Sequence, residues 1–264
     1  MSIIDLTFRT AFENTIMSAS NCIIPQDRKL STRSITNRAD INDAVKEVYF
    51  HRNTLWAHAR GGKGKNKLTN SGERRPAVEN ILTNIGGQIY EYFNGKANVA
   101  NTQENFDAFH KSLCHYFLTS INAIRAEVNY APMSYGQAQK LINLSFKYIS
   151  CFSDYCQFAD LFTHCHIVID NVVLTNLKSS KLSIMFGCPI PTKIQGLSGG
   201  TFNGHGWTDF SEEDYNNLKD EYRRVISPYL GNLTYLELEY SMWPVIGPVD
   251  THGTMPTAIP SFFM

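Results

Sequence analysis

Apolar residues recur at helical spacing along most of the chain. In 41–59, INDAVKEVYFHRNTLWAHA, the positions Val45, Val48, Tyr49, Leu55 and Trp56 fit a period of 3.6 and predict a helix. The next stretch, RGGKGKNKLTNSGERRP at 60–76, is rich in Gly, Asn, Ser and Lys and predicts a loop. Pro76 suits the first turn of a second helix, 76–93. Asn101 with Glu104 reads as the start of a helix over about 102–127, with Phe106, Phe109, Leu113, Phe117, Ile121 and Ile124 as its apolar stripe. Ser134 can cap a helix over about 135–152. Ser211, with Asp214 at the capping-box position, opens another at 212–226, and Pro228 follows its end. Residues 182–206 hold six glycines and two prolines and predict irregular structure. Only 167–174 and 233–240 have the β-branching or alternation of strands. The pattern predicts a mostly α, multi-helix globular protein with few or no strands and no internal repeat. A basic helical region, 1–95, and a helical catalytic-type region, 96–264, form either two parts or one continuous domain.

Composition adds little, but charge distribution changes the picture. The 264 residues are 43% hydrophobic and 18% charged, enough apolar material for a core. Lys+Arg and Asp+Glu number 24 each, so net charge excludes no partner. Residues 28–75, however, hold twelve Lys or Arg against four Asp or Glu, while 205–264 hold nine acids against three bases. A basic N-terminal part suggests a polyanionic partner, most simply DNA. A solvated surface is the alternative. No run approaches eighteen apolar residues, so no membrane partner is expected. The start, MSIIDLTFRTAFENT, lacks a basic segment followed by a long apolar one. With six sparse cysteines, this leads to the expectation of a cytoplasmic protein with free thiols.

One carboxylate stands out. In HCHIVIDNVVL, 164–174, Asp170 interrupts a run of Ile and Val. An ionised carboxylate there is costly unless paired. It is either a helix cap or paired core acid, or a catalytic group in a half-dry pocket.

A turn with Gly136 leads into a segment carrying Lys140, and IVIDNVVL sets Asp170 after Val168 and Ile169 and before a further apolar run. This order of residues in 132–177 resembles the helix-hairpin-helix DNA glycosylases, whose aspartate lies in a pattern like apolar-Val-Asp-x-x-apolar. The hairpin reads Met133-Ser134-Tyr135-Gly136, and thirty residues separate Lys140 from Asp170. The resemblance implies a helix-hairpin-helix-like element whose glycine turn binds a DNA phosphate, a lysine early in its second helix, and a catalytic aspartate opening the next. The chain is also similar to a group of small bacterial proteins sharing Gly-x-Ala-Gln-Lys, Lys-Tyr, His-x-x-x-Asp, Trp-Thr and a final Leu-Glu-x-Glu. Here these are Gly136 to Lys140, Lys147 and Tyr148, His166 and Asp170, Trp207 and Thr208, and Leu236 to Glu239, with Trp243 beyond. That likeness carries no function.

The chemistry fits the first resemblance. Breaking an N-glycosidic bond builds positive charge on the sugar, which a carboxylate stabilises while orienting water. A neighbouring lysine can instead attack and form a Schiff base. The base must leave the stack, so an aromatic pocket is needed. The candidate catalytic residues are Asp170 and Lys140. Candidates to bind substrate are Tyr135, Gly136, Gln137, Gln139, Asn143, His166 and Trp207, with Phe152 and Tyr155 as further aromatic possibilities. Arg60, Lys63, Lys65, Lys67, Arg74 and Arg75 are candidates to touch the nucleic-acid backbone. Each has a plain alternative: Lys140 a surface lysine, the glutamines ordinary helix residues, Trp207 a core anchor near a turn. No cofactor is expected. GGKGKN lacks the spacing of a nucleotide-binding loop. Neither Cys151-x4-Cys156 nor His164-Cys165-His166 has strong metal spacing, so buried thiols and a satisfied core histidine are expected there. The first expectation is a DNA glycosylase-like enzyme acting on a flipped base, modified or not. The alternative is a non-enzymatic helical module that binds nucleic acid or protein, and a metal-dependent nuclease comes third.

Overall fold

A computed structural model describes residues 29–50, 74–95, 100–231 and 233–245. Among them are nine α-helices: α1 Arg38–Phe50, α2 Arg75–Phe93, α3 Gln103–Ala126, α4 Tyr135–Ile149, α5 Ala159–Phe162, α6 Asn171–Asn176, α7 Ser179–Phe186, α8 Glu212–Ile226 and α9 Tyr235–Val245. A two-residue hairpin, β1 Leu197–Ser198 with β2 Thr201–Phe202, is the one sheet among the described residues. The fold is mostly α, as the periodicity predicts. None of the described helices is long and apolar enough to cross a membrane.

Local chemistry sets the helix ends. Pro76 sits in the first turn of α2. Ser134 and Gln137 form a reciprocal capping box at α4, and Ser211 and Asp214 form another at α8. Four expectations change. Within 182–206, predicted irregular, 182–186 close α7 and Leu197–Ser198 pairs with Thr201–Phe202. The cap of α3 is Thr102, which accepts from the Asn105 amide, and not Asn101. The segment 233–240 is helical as part of α9: Thr234 and Glu237 exchange backbone–side-chain bonds in the manner of a cap, which overrides the alternation. The run 167–174 divides at Asp170, which caps α6, so its second half is helix and its first half lies in no strand. The helix predicted over 41–59 begins at Arg38, and its part beyond 50 lies outside the described residues.

The core is built around α4, all fifteen of whose residues are buried. It packs against α1, α3, α8 and the 3₁₀ turn Trp207–Asp209. Phe146 of α4 meets Tyr92 and Phe106 edge-on, with ring centroids 6.2 and 5.2 Å apart, joining α2 and α3 through aromatic contacts. Buried residues from Leu30 to Met242 form one continuous cluster, so helices on both sides of residue 95 share a core. The N-terminal segment is tied in by polar bonds. Asp154 accepts from the Ile35 amide and Ser34 Oγ, and buried Arg33 makes a bidentate pair with Glu47.

The start of α4 is pressed against the 207–210 turn. Ser134 Oγ donates to the Thr208 carbonyl and the Gly136 amide donates to the Phe210 carbonyl. A Cβ on Gly136 would lie 1.7 Å from the Trp207 carbonyl oxygen, so only glycine permits this approach. Gly136→Ala must therefore push the turn away from α4. It is expected to lower stability by about 1–3 kcal/mol, as overpacking does. Urea denaturation checks this, and an unchanged midpoint would mean that the turn does not seat on α4.

Candidate active site

The site begins with the polar residues of α4. A helix buried on every side is ordinarily apolar throughout, yet α4 buries Gln137, Gln139, Lys140, Asn143, Ser145 and Lys147. Each must find a partner. Three of them, Gln139, Lys140 and Asn143, meet the stretch 167–170 directly, and Lys147 reaches it through Glu239. Gln139 holds both polar groups of Ile169: its Nε2 donates to the carbonyl at 2.8 Å and its Oε1 accepts from the amide at 3.3 Å. Asn143 Nδ2 donates to the Ile167 carbonyl at 3.0 Å. Lys147 pairs at 2.7 Å with Glu239 of α9, whose second oxygen accepts from the Val168 amide at 2.8 Å. Side chains thus supply the bonds that a neighbouring strand would otherwise make.

That stretch ends at Asp170. One carboxylate oxygen accepts from the Val173 amide and caps α6. The other faces Lys140 Nζ at 3.5 Å, with the two side chains 8% and 9% exposed. Lys140 lies 4.4 Å over the indole of Trp207. Asp170, Lys140, Trp207 and Gly136 therefore gather at one place, the start of α4. Asp170 is a cap and a paired acid in one geometry, with one oxygen for each role. Trp207 is buried and its turn braces Gly136, so it anchors the core while forming a wall for Lys140.

A second network adjoins the first. Asn143 also donates to the Tyr215 hydroxyl at 3.1 Å. Tyr215 lies 2.8 Å from His166 Nδ1, and His166 Nε2 lies 2.8 Å from Asp107. A carboxylate only accepts, so Nε2 carries the imidazole proton and Nδ1 accepts from the tyrosine. Asp107 also accepts from Gln103, Lys219 and both terminal nitrogens of Arg223. Burial alone would push its carboxyl up, but the bonds from His166, Arg223 and Lys219 outweigh it and hold Asp107 well below the usual carboxylate range. His110 lies tilted against His166, with ring centroids 4.3 Å apart, and stacks on Tyr215, and burial holds its pKa well below the ordinary histidine value.

Of the remaining candidates, Tyr135 is buried with its ring 5.5 Å from that of Tyr215. Gln137 is occupied in the capping box, and the Gly136 amide is donated to Phe210. Phe152 and Tyr155 are core residues. Arg74 and Arg75 stand apart from the site, paired with Glu127 and Glu79, and Arg75 also covers Phe50. Arg60, Lys63, Lys65 and Lys67 lie outside the described residues. Cys151 and Cys165 are buried free thiols and His166 is bonded at both nitrogens, as expected, but Cys156 is exposed, on the short 3₁₀ turn at 155–157. Among the described residues, no three His, Cys, Asp or Glu side chains gather as a metal site would require.

No protein-family model, curated protein or solved structure matches this chain. Its functional residues must therefore be read from its own geometry. Sequence reasoning missed Asp107, Tyr215, Lys219 and Arg223. Local spacing shows only that Tyr215, Lys219 and Arg223 share one face of α8, at i, i+4 and i+8, and that Asp107 follows Gln103 by one turn on α3; it does not show that the two helices meet there.

The buried histidine makes the fold acid-labile. Burial pushes His166 down to about 4 from its ordinary 6.5, against the opposing Asp107 bond. Between those values the unfolded chain binds a proton that the folded chain does not, so stability falls as pH drops through this window. The loss from His166 is about 3 kcal/mol. Asp107, held low in the fold, adds a further loss below 3.8. In His166→Gln, which keeps an N–H for Asp107 but does not titrate, the fall between pH 7 and 4 should shrink. The change in urea midpoint across that range measures it, and equal slopes in both proteins would place the proton elsewhere.

Proposed function

We propose that this chain is a DNA glycosylase-like enzyme that cleaves the N-glycosidic bond of a flipped base, with Asp170 as the reacting carboxylate. The observation that supports this is the pairing of Asp170 with Lys140, at the start of a buried helix, with both side chains slightly exposed. One Asp170 oxygen is spent on the α6 cap, which fixes the side chain. The other faces Lys140 in a site almost closed to water, where its field is little screened. A sugar brought to it would have its developing positive charge stabilised and a water oriented for attack. Both neighbours of Lys140, a carboxylate and an indole face, attract a cation. This favours Lys140 as a contact for a phosphate over Lys140 as a nucleophile. The basic segment 60–75, with Arg60, Lys63, Lys65, Lys67, Arg74 and Arg75, supplies non-specific affinity for the DNA backbone. The protein works in the cytoplasm, where its thiols stay reduced.

DNA carrying varied modified bases, incubated with the protein and then treated with alkali, reveals abasic sites as strand breaks. Wild type is expected to break at least one substrate. Asp170→Asn should abolish base release while keeping a cooperative fold, because asparagine caps a helix as well as aspartate but carries no charge. Wild-type turnover in the variant would remove Asp170 from the mechanism. Borohydride separates the two routes for Lys140. No trapped protein–DNA product is expected, and a product that disappears in Lys140→Ala would make the lysine the nucleophile.

A second reading rests on the same contacts. Asp170 caps α6 and Lys140 covers Trp207, so each already serves the fold. DNA binding without base release from any substrate would favour the non-enzymatic binding module.

A further inference from the structure

Lys147 and Glu239 form an ion pair in the interior, joining α4 to α9. Both side chains are 0% exposed. Removing two charges from water costs several kcal/mol per ion, and such pairs are often replaced by apolar residues with no loss of stability. Burial pushes Glu239 above the usual carboxylate range, against the pull of Lys147, and the negative charge of Asp170 pushes the same way. The pair is also far from local: Glu239 is 92 residues from Lys147 and 71 from the amide it accepts. That amide belongs to Val168, two residues before Asp170. Next to it, Gln139 grips Ile169 from both sides.

We propose that Lys147 and Glu239 are positioning residues for Asp170. Glu239 holds the Val168 amide, and Lys147 holds Glu239 in the one orientation that reaches it. Together with Gln139 they leave the 167–169 backbone a single register, and so a single place for the Asp170 carboxylate relative to Lys140. Side-chain donors and acceptors at three helix positions, Gln139 and Asn143 of α4 and Glu239 of α9, fix which backbone group lies opposite each. The site is therefore assembled only when α9 is docked, because Glu239 is the contribution of α9. This proposal rests on the reading of Asp170 as the reacting carboxylate, but its geometric half stands apart from it.

Two double variants separate positioning from stability. Lys147→Met with Glu239→Leu removes both charges and the acceptor. Lys147→Met with Glu239→Gln removes both charges but keeps an oxygen for the Val168 amide. The two variants are expected to have similar urea midpoints, because each buries one unpaired N–H donor, the Val168 amide in the Leu variant and the side-chain amide in the Gln variant. The Val168 amide of the Leu variant should nevertheless exchange about tenfold faster relative to global unfolding, the equivalent of one lost hydrogen bond. Its single-turnover base release should fall about 10- to 100-fold with DNA affinity unchanged, as a displaced catalytic group requires. The Gln variant should keep most of the protection and most of the rate. Activity that follows stability, or equal Val168 protection in the two variants, would overturn the proposal. Should wild type release no base, the reading of Asp170 falls by itself, and the exchange comparison alone decides whether Glu239 holds the segment.

Discussion

The burial of α4 on all sides governs the rest of the structure. A helix of fifteen buried residues with six polar side chains has no water to satisfy them, and an unpaired buried polar group costs about 1–3 kcal/mol. Satisfaction has to come from other protein groups. Much of it comes from a stretch of backbone, 167–169, that lies in no helix or strand and has the same deficit. Each resolves the other's problem: Gln139 and Asn143 complete Ile169 and Ile167, and the Lys147–Glu239 pair completes Val168. Polar satisfaction and register become one requirement, because these bonds form only when those residues lie opposite those side chains.

The site inherits its geometry from this arrangement. Asp170 follows the clamped stretch directly, and Lys140 precedes Asn143 by less than one turn of α4, so the two meet as a consequence of the clamp. Gly136 allows the Trp207 turn to close against α4, and the indole then lies under Lys140. At the other end of the stretch, His166 is fixed by Tyr215 and Asp107, with Lys219 and Arg223 completing the carboxylate. One short segment thus joins a buried Lys–Asp pair to a charge-rich knot between α3 and α8.

Much of the fold was legible in the sequence. Helix starts at Pro76, Ser134 and Ser211 follow from capping chemistry that involves residues only three apart. Lys140 and Asp170 lie 3.5 Å apart, and no local pattern specifies that meeting across thirty residues. The strand-like runs misled for a definite reason. In 167–174 the β-branched residues reflect burial, and local capping by Asp170 decides the backbone. In 233–240 the alternation is overridden by the Thr234–Glu237 cap. The hub at Asp107 was illegible because its donors come from residues 59 to 116 positions away, besides Gln103. Nothing local marks an aspartate that will meet a lysine and an arginine from another helix.

The clamp itself is the claim on which site and fold both depend, and the side-chain amide of Gln139 reports it directly. Its two Nε2 protons are assigned to the carbonyls of Gly136 and Ile169. Exchange of those protons with deuterium, followed by NMR, should occur only through global unfolding, so their protection should match that of the slowest core amides. Exchange at the rate of an exposed glutamine would show that Gln139 does not hold Ile169, and that the register of the Asp170 segment is set by something else.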